Sequence, residues 1–227
     1  MKWNAAKHAF PVSLPICAGF LFLGASYGIL MTAKGFSPIY PFIMSLFIFA
    51  GSMEFVTINL LLSSFHPLST FLLTLMVNAR HLFYGISMLE KYQGTGRKKA
   101  YLIFGMCDES FSINCSAKIP QGIDKGWYMF FVTLFNHIYW VFGATVGAIL
   151  GKWIPMNIKG IEFVMTALFV VTFLNQWQET QNHKPACSGL IITVFCLLLF
   201  GAENFLIPAL LLITGILILL EKEVKYV

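Results

Sequence analysis

Several side chains able to do chemistry stand together in Asn78-Ala-Arg80-His81-Leu-Phe-Tyr84-Gly85. Arginine offers a planar fork of donors that can grip a carboxylate with two hydrogen bonds. Histidine titrates near neutral pH and can carry a proton. At 3.6 residues per turn, Asn78, His81 and Gly85 stack on one helical face, while Arg80 and Tyr84 pair at i, i+4 on an adjoining one. Gly85 would let another backbone approach closely. Three carboxylates complete the set. Glu54 follows Gly51 and Ser52, and Asp108 and Glu109 stand side by side in Cys107-Asp108-Glu109-Ser110. Being consecutive, Asp108 and Glu109 point about 100° apart on a helix and cannot face the same partner. One can pair with Arg80 while the other stays protonated or titrates.

The elements that must hold these residues are apolar. The chain has 227 residues, 58% of them hydrophobic and only 11% charged. Soluble domains average roughly 25% charged residues, so this chain cannot cover a globular surface with polar groups. It reads as an all-α polytopic membrane protein, one transport domain over 1–227, with seven to eight transmembrane helices. One or two of these are candidates for broken or re-entrant segments. The net charge of +5 is spread over many loops, which argues against a nucleic-acid partner. Five cysteines, all in apolar runs and without C-x-x-C spacing, read as free thiols packed like small hydrophobes.

Taken in order, the spans are expected at about Val12–Met31, Ile39–Leu62, Pro67–Leu89, Ala100–Ala117, Gly126–Gly151, Ile161–Trp177, Ala186–Phe200 and Phe205–Leu220. The N-terminal run reads as a retained first helix, not a cleaved signal. Ala50-Gly51-Ser52 interrupts the second span, as in transporters that expose backbone to substrate. Glu54 reads either as a functional group or as a buried neutral carboxyl. Charge at membrane depth favours function, and the same reasoning makes Arg80 and His81, mid-way along Pro67–Leu89, the centre of interest. For Asp108 and Glu109 two placements stand: the middle of a spanning helix, or a short re-entrant segment with the acids at a water-filled edge. His137, among aromatics, reads as a packing residue. Asn175-Gln-Trp-Gln-Glu179 reads as an interfacial cap.

Gly24-Ala-Ser-Tyr-Gly28 echoes Gly143-Ala-Thr-Val-Gly147, a weak internal repeat of the kind secondary transporters carry. Arg97-Lys98-Lys99 is the strongest basic cluster and belongs in the cytoplasm. With eight full spans and a cytoplasmic N-terminus, that cluster would fall outside. A segment that fails to cross, Ile39–Leu62 or the one holding Asp108, would repair the count.

The motifs Ala50-Gly51-Ser52-Met-Glu54-Phe, Val77-Asn78-Ala-Arg80-His81-Leu-Phe-Tyr84-Gly85 and Cys107-Asp108-Glu109-Ser110-Phe111 resemble the AzlC family. So do Tyr139-Trp140 with its glycine-rich continuation and Ala167-Leu-Phe-Val-Val. The resemblance covers nearly the whole chain. Two departures stand out: Glu54 lies where the family pattern has Gln, and His137 lies where that pattern fixes no residue. The resemblance implies a large subunit of a branched-chain amino-acid exporter in a bacterial inner membrane. It would move valine, leucine and isoleucine, with methionine as a further candidate, beside a small AzlD-like membrane subunit. A zwitterionic substrate would then set Arg80 against its carboxylate and Asp108, Glu109 or Glu54 against its ammonium. His81, Asp108 or Glu109 would titrate.

No Gly-rich Lys loop for ATP is present, so an ion gradient, of protons or else of sodium, is the expected energy source, and no cofactor or metal site is read. Two other classes remain: an intramembrane enzyme using His81 with Asp108 or Glu109, and a structural subunit whose Arg80–carboxylate pair only locks helices together.

Overall fold

The computed structural model describes residues 2–64, 66–117, 119–153, 163–179 and 183–205, with short pieces at 208–209, 211–213 and 215–216. It contains helices α1 (Lys2–Ala33), α2 (Ile39–Phe47), α3 (Gly51–Leu62), α4 (Pro67–Val77), α5 (Ala79–Met88), α6 (Lys98–Phe104), α7 (Asp108–Ser116), α8 (Lys125–Trp153), α9 (Phe163–Glu179) and α10 (Lys184–Asn204). No strand occurs among the described residues. The chain divides into two compact units, 1–165 and 166–227. Three helical stretches, Lys2–Ala33, Lys125–Trp153 and Lys184–Gly201, are long and apolar enough to cross a membrane.

The first unit is built on α1 and α8, which run side by side in the same direction. Their contacts advance together: Phe10 on Phe135, Ser13 on Tyr139 and Phe20 on Trp140, then Gly24 against Ala144 and Gly28 against Ala148. A Cβ at Gly24 would stand 2.9 Å from the Ala144 amide nitrogen, and one at Gly28 or Gly147 would overlap the opposite backbone. The two echoing glycine segments are therefore the seam of this pair, with backbones closer than any larger residue permits. Near the start of both helices, Lys2 and Lys98 reach the Trp127 ring, with Nζ 4.5 and 4.7 Å from its centre. The N-terminus and the basic cluster thus share one face.

Three segments expected as single helices are interrupted. Ile39–Leu62 breaks as foreseen, at Phe49 (φ 47°) and Ala50 (φ −133°). It is a hairpin and not a crossing. Met44 meets the Tyr27 hydroxyl, Phe49 sits on His137, Gly51 on Trp140, and Phe55 returns to Tyr27. The segment 98–117 is a second hairpin, entering from the opposite face. Lys98 lies at Trp127, the tip residue Gly105 at Thr133, and Lys91, at the basic end of the preceding segment, bonds back to the Cys115 carbonyl. This corrects the continuous helix over Ala100–Ala117 and selects the re-entrant placement of Asp108 and Glu109.

Pro67–Leu89, also expected as unbroken, divides at Asn78 (φ −96°, ψ 7°). It runs from the end of α3 to the basic face, where Met88 and Tyr92 pack with Ala5, Leu102 and Tyr128. Two opposed hairpins and one broken crossing place Arg97 to Lys99 beside the N-terminus and remove the topological conflict.

In the second unit, α9 and α10 agree with two expected spans, and α10 carries a non-helical residue at Gly201 (φ 73°). Only Phe205 and the pieces 208–209, 211–213 and 215–216 of the expected span Phe205–Leu220 are among the described residues, and most side chains of the Asn175–Glu179 cap lie outside them. The five cysteines are free; Cys196 is buried, but Cys187 is exposed, contrary to the expectation of uniform burial.

The seam has a direct test. Gly28→Leu or Gly147→Leu forces two backbones apart, and overpacking of this kind costs at least about 1–3 kcal/mol. The expected result is loss of folded protein in a detergent melting assay, while Gly85→Ala, which faces open space, melts like the parent.

Candidate functional site

Each half-helix that starts inside the bundle leaves its first backbone N–H groups without intrahelical partners, and its dipole presents a partial positive charge there. Three such starts converge. Ser52 is the second residue of α3, Arg80 the second of α5 and Asp108 the first of α7. Arg80 Nε lies 3.0 Å from Asp108 Oδ1, and Arg80 Nη2 donates to Ser52 Oγ at 3.1 Å. The two charged side chains are 31% and 30% exposed, while the facing Nε and Oδ1 atoms themselves are buried.

The tip of the second hairpin holds Asp108 in place. The Cys107 amide donates to Ser110 Oγ at 2.9 Å, and the Ser110 hydroxyl donates to the Gly105 carbonyl at 3.0 Å. That reciprocal cap starts α7 within one turn of the preceding break. Glu109, one position on, lies by the Cys107 thiol and not on Arg80. Tyr84 is one turn below Arg80, with its ring stacked on Phe111 at 4.2 Å and its hydroxyl toward Asp108. His81 crosses Tyr84 edge-on, and its Nδ1 donates to the Asn78 carbonyl at 3.2 Å. Asn78 itself marks the α4–α5 break, so the expected stack of Asn78, His81 and Gly85 on one helix is replaced by a helix that begins after Asn78. Gly85 does not admit a neighbouring backbone; a Cβ there would meet only the Met106 methyl at 3.9 Å. It opens instead onto a largely apolar groove of about 390 Å³, lined chiefly by Leu82, Ile86, Leu89, Ile103 and Met106 together with His81 and Lys99.

Glu54 and Gly51 belong to a different place. Gly51 lies flat on the Trp140 ring, with a built Cβ 3.0 Å from it. Glu54 is fully buried. Its Oε1 accepts from the Ala50 amide at 3.1 Å and from Trp140 Nε1 at 3.0 Å. It therefore does not join Arg80. Trp140 belongs to a motif of the family resemblance, which gave it no role; what makes it part of this site is the inward face of α8. Asn114, Thr133 and Asn136 were likewise passed over and are buried in the same region. Their signal in the sequence is weak: Asn114 and Asn136 are single amides and Thr133 a single hydroxyl in apolar runs. His137 is a satisfied packing histidine, as its neighbours suggested. Tyr101 donates to Nδ1 at 2.9 Å and Nε2 donates to the Ser45 carbonyl at 3.2 Å.

An arginine, an acid and a hydroxyl at the meeting of three half-helices, inside a bundle of apolar helices, define a helical membrane protein with a polar site at membrane depth. The AzlC protein family matches residues 15–154. The branched-chain amino acid transport protein AzlC of Bacillus subtilis is 60% identical over 223 residues, 98% of this chain and 88% of that protein. An uncharacterized membrane protein of Haemophilus influenzae is 53% identical over 222 residues, 97% of this chain and 90% of that one. The inner membrane protein YgaZ of Escherichia coli is 30% identical over 182 residues, covering 75% and 72% of the two chains. No solved structure matches. The chain belongs to the AzlC family.

The pair can be weighed by a double-mutant cycle. Arg80→Gln and Asp108→Asn are each expected to lower the melting temperature. Because the two groups share one contact, their coupling should fall at about 0.5–3 kcal/mol, in the range for directly interacting residues. Strictly additive effects would mean that the pair carries no stability.

Proposed function

We propose that this protein is the large subunit of a secondary active exporter of branched-chain amino acids in a bacterial inner membrane. The observation that carries the reading is the Arg80–Asp108 pair at the convergence of α3, α5 and α7. A zwitterion can insert into such a pair with little electrostatic loss. Its carboxylate takes the Arg80 fork and the free N–H groups of the helix starts, and its ammonium takes the released Asp108 carboxylate. Each buried charge keeps a counter-charge throughout, which avoids the penalty of an unpaired ion at membrane depth. The aliphatic side chain lies along Tyr84 and Phe111. Glu109 is held in reserve by its contact with Cys107. The cavity from His81 to Lys99 serves as the approach from the basic face, which faces the cytoplasm by its lysine content.

The name of the Bacillus subtilis relative supports the substrate class, and that of the Escherichia coli relative supports the inner membrane. The two opposed hairpins support alternating access, since each can open one side of the same polar site. The energy source is the proton gradient, sodium being the other ion suited to these carboxylates. Residues 1–227 act as one transport domain, beside an AzlD-like small subunit.

Labelled leucine efflux from vesicles reconstituted with and without the small subunit checks this directly. Efflux is expected to need both subunits and to vanish when the pH gradient is collapsed. Arg80→Ala should remove transport while the protein stays at normal abundance in the membrane. Loss of the protein itself would instead favour a purely structural lock.

A further inference from the structure

Among the described residues of the first unit, apart from Arg80 and Asp108, whose polar atoms meet in their ion pair, the buried side-chain atoms without a hydrogen-bond partner are few. They are Glu54 Oε2, Tyr92 Oη, Asn114 Oδ1 and both amide atoms of Asn136. Buried polar atoms are paired in roughly 90% or more of cases, and exceptions call for a reason. These exceptions are not scattered. Tyr92 packs with Tyr128 and Met129 at the basic end, and its hydroxyl faces Asn114. Asn114 Nδ2 donates to Thr133 Oγ1 at 3.4 Å. Asn136 stands one turn further along α8, Trp140 one turn beyond that, and Trp140 Nε1 donates to Glu54 Oε1. Thr133, Asn136 and Trp140 follow one another at three- and four-residue spacing on α8, which orders these residues from the basic face to Glu54.

We infer that Glu54 carries the coupling proton and that Tyr92, Asn114, Thr133 and Asn136 line its path to the basic face. This rests on the exporter reading and names the proton site within it. Hydroxyls and amides with free lone pairs hold water, and each such water needs two to four polar partners. A file of that kind passes protons by successive O–H bond exchange, which apolar packing cannot do. For outward substrate movement driven by inward proton movement, this is the release path. The O–H bond at Glu54 Oε2 breaks, the electron pair stays on the carboxylate, and the proton reaches water beside Lys91 and Lys99.

Glu54 suits this part better than the other acids. Asp108 is already held by Arg80, and Glu109 lies in the first turn of α7 beside Asp108 and the Cys107 thiol. Around Glu54, α1 contributes Tyr27, whose hydroxyl is taken by the Met44 sulfur, and α8 contributes Trp140. His137 of α8 is occupied by Tyr101 and Ser45. The hydrogen bonds to Glu54 come only from neutral donors, the Ala50 amide and Trp140. Gain or loss of one proton therefore changes the charge of the α2–α3 tip by a full unit inside the bundle. That links protonation to the position of the hairpin as one thermodynamic coupling.

Vesicles holding the complete transporter allow three readings: leucine counterflow at equal pH, leucine efflux under a pH gradient, and proton movement followed by a pH-sensitive dye. Glu54→Gln, of the same size, should keep counterflow while gradient-driven efflux and leucine-linked proton movement fall about 100-fold, the lower range for a missing proton-transfer group. Asn136→Leu should lose in the same direction, and Asn136→Ser, which can still hold water, should recover most of the loss. A pH drive that survives Glu54→Gln would overturn the assignment of the proton and leave the exporter standing. So would loss in Asn136→Leu that Asn136→Ser fails to recover, or a drive that follows sodium and ignores pH. Absence of leucine counterflow in the parent protein would sink the exporter reading, and the role of Glu54 with it.

Discussion

A backbone that stops being helical at membrane depth leaves donors and acceptors that lipid cannot satisfy, so it must lean on protein. That constraint governs the first unit. The breaks at Phe49–Ala50 and Gly105–Cys107 both fall against the same stretch of α8, around Thr133 to Trp140. There, side chains of the chain itself supply partners: Glu54 for the Ala50 amide, Ser110 for the Cys107 amide and the Gly105 carbonyl. The third break, at Asn78, is held through Arg80 to both hairpins. The α1–α8 pair is what makes this possible. Its glycine seam brings two long helices to near backbone contact, giving a stiff post on which short helices can end.

The same arrangement explains why charge is tolerated here. Arg80 sits where three helix starts concentrate positive potential, which by itself is unfavourable for a cation. Asp108 offsets this, and Ser52 takes a further donor. The result is a charge-balanced pair with one further donor satisfied. Glu54 takes its hydrogen bonds from Trp140 and the Ala50 amide instead, so the acids of the bundle occupy two electrostatic environments.

The motifs singled out from residue type did converge. Gly51-Ser52, Arg80 and Asp108 are distant in sequence, yet the logic that charge at membrane depth needs a partner anticipated that Arg80 would find one of the two adjacent acids. Which of them, and that Glu54 would not compete, was not legible. Consecutive residues differ by about 100° in direction, and only the start of α7 decides which of them faces α5. The break at Asn78 was missed because the run Pro67–Leu89 is long enough to span and contains neither Gly nor Pro near the interruption. Asn114 and Asn136 were missed because a lone amide in an apolar run has no periodicity to mark which way it points.

By itself, the amino-acid sequence determined that the chain lives in a membrane and that its second apolar segment is interrupted near Gly51. Composition and hydropathy decide such matters, since no other environment accepts so apolar a chain. The tertiary structure alone decided which segments cross. Ile39–Leu62 and Ala100–Ala117 are long enough in residues to span, and hydropathy counts residues without regard to direction. Only the return of Phe55 to Tyr27 and of Cys115 to Lys91 shows each segment turning back. Those reversals are long-range contacts set by α1, α5 and α8, and no local pattern encodes them.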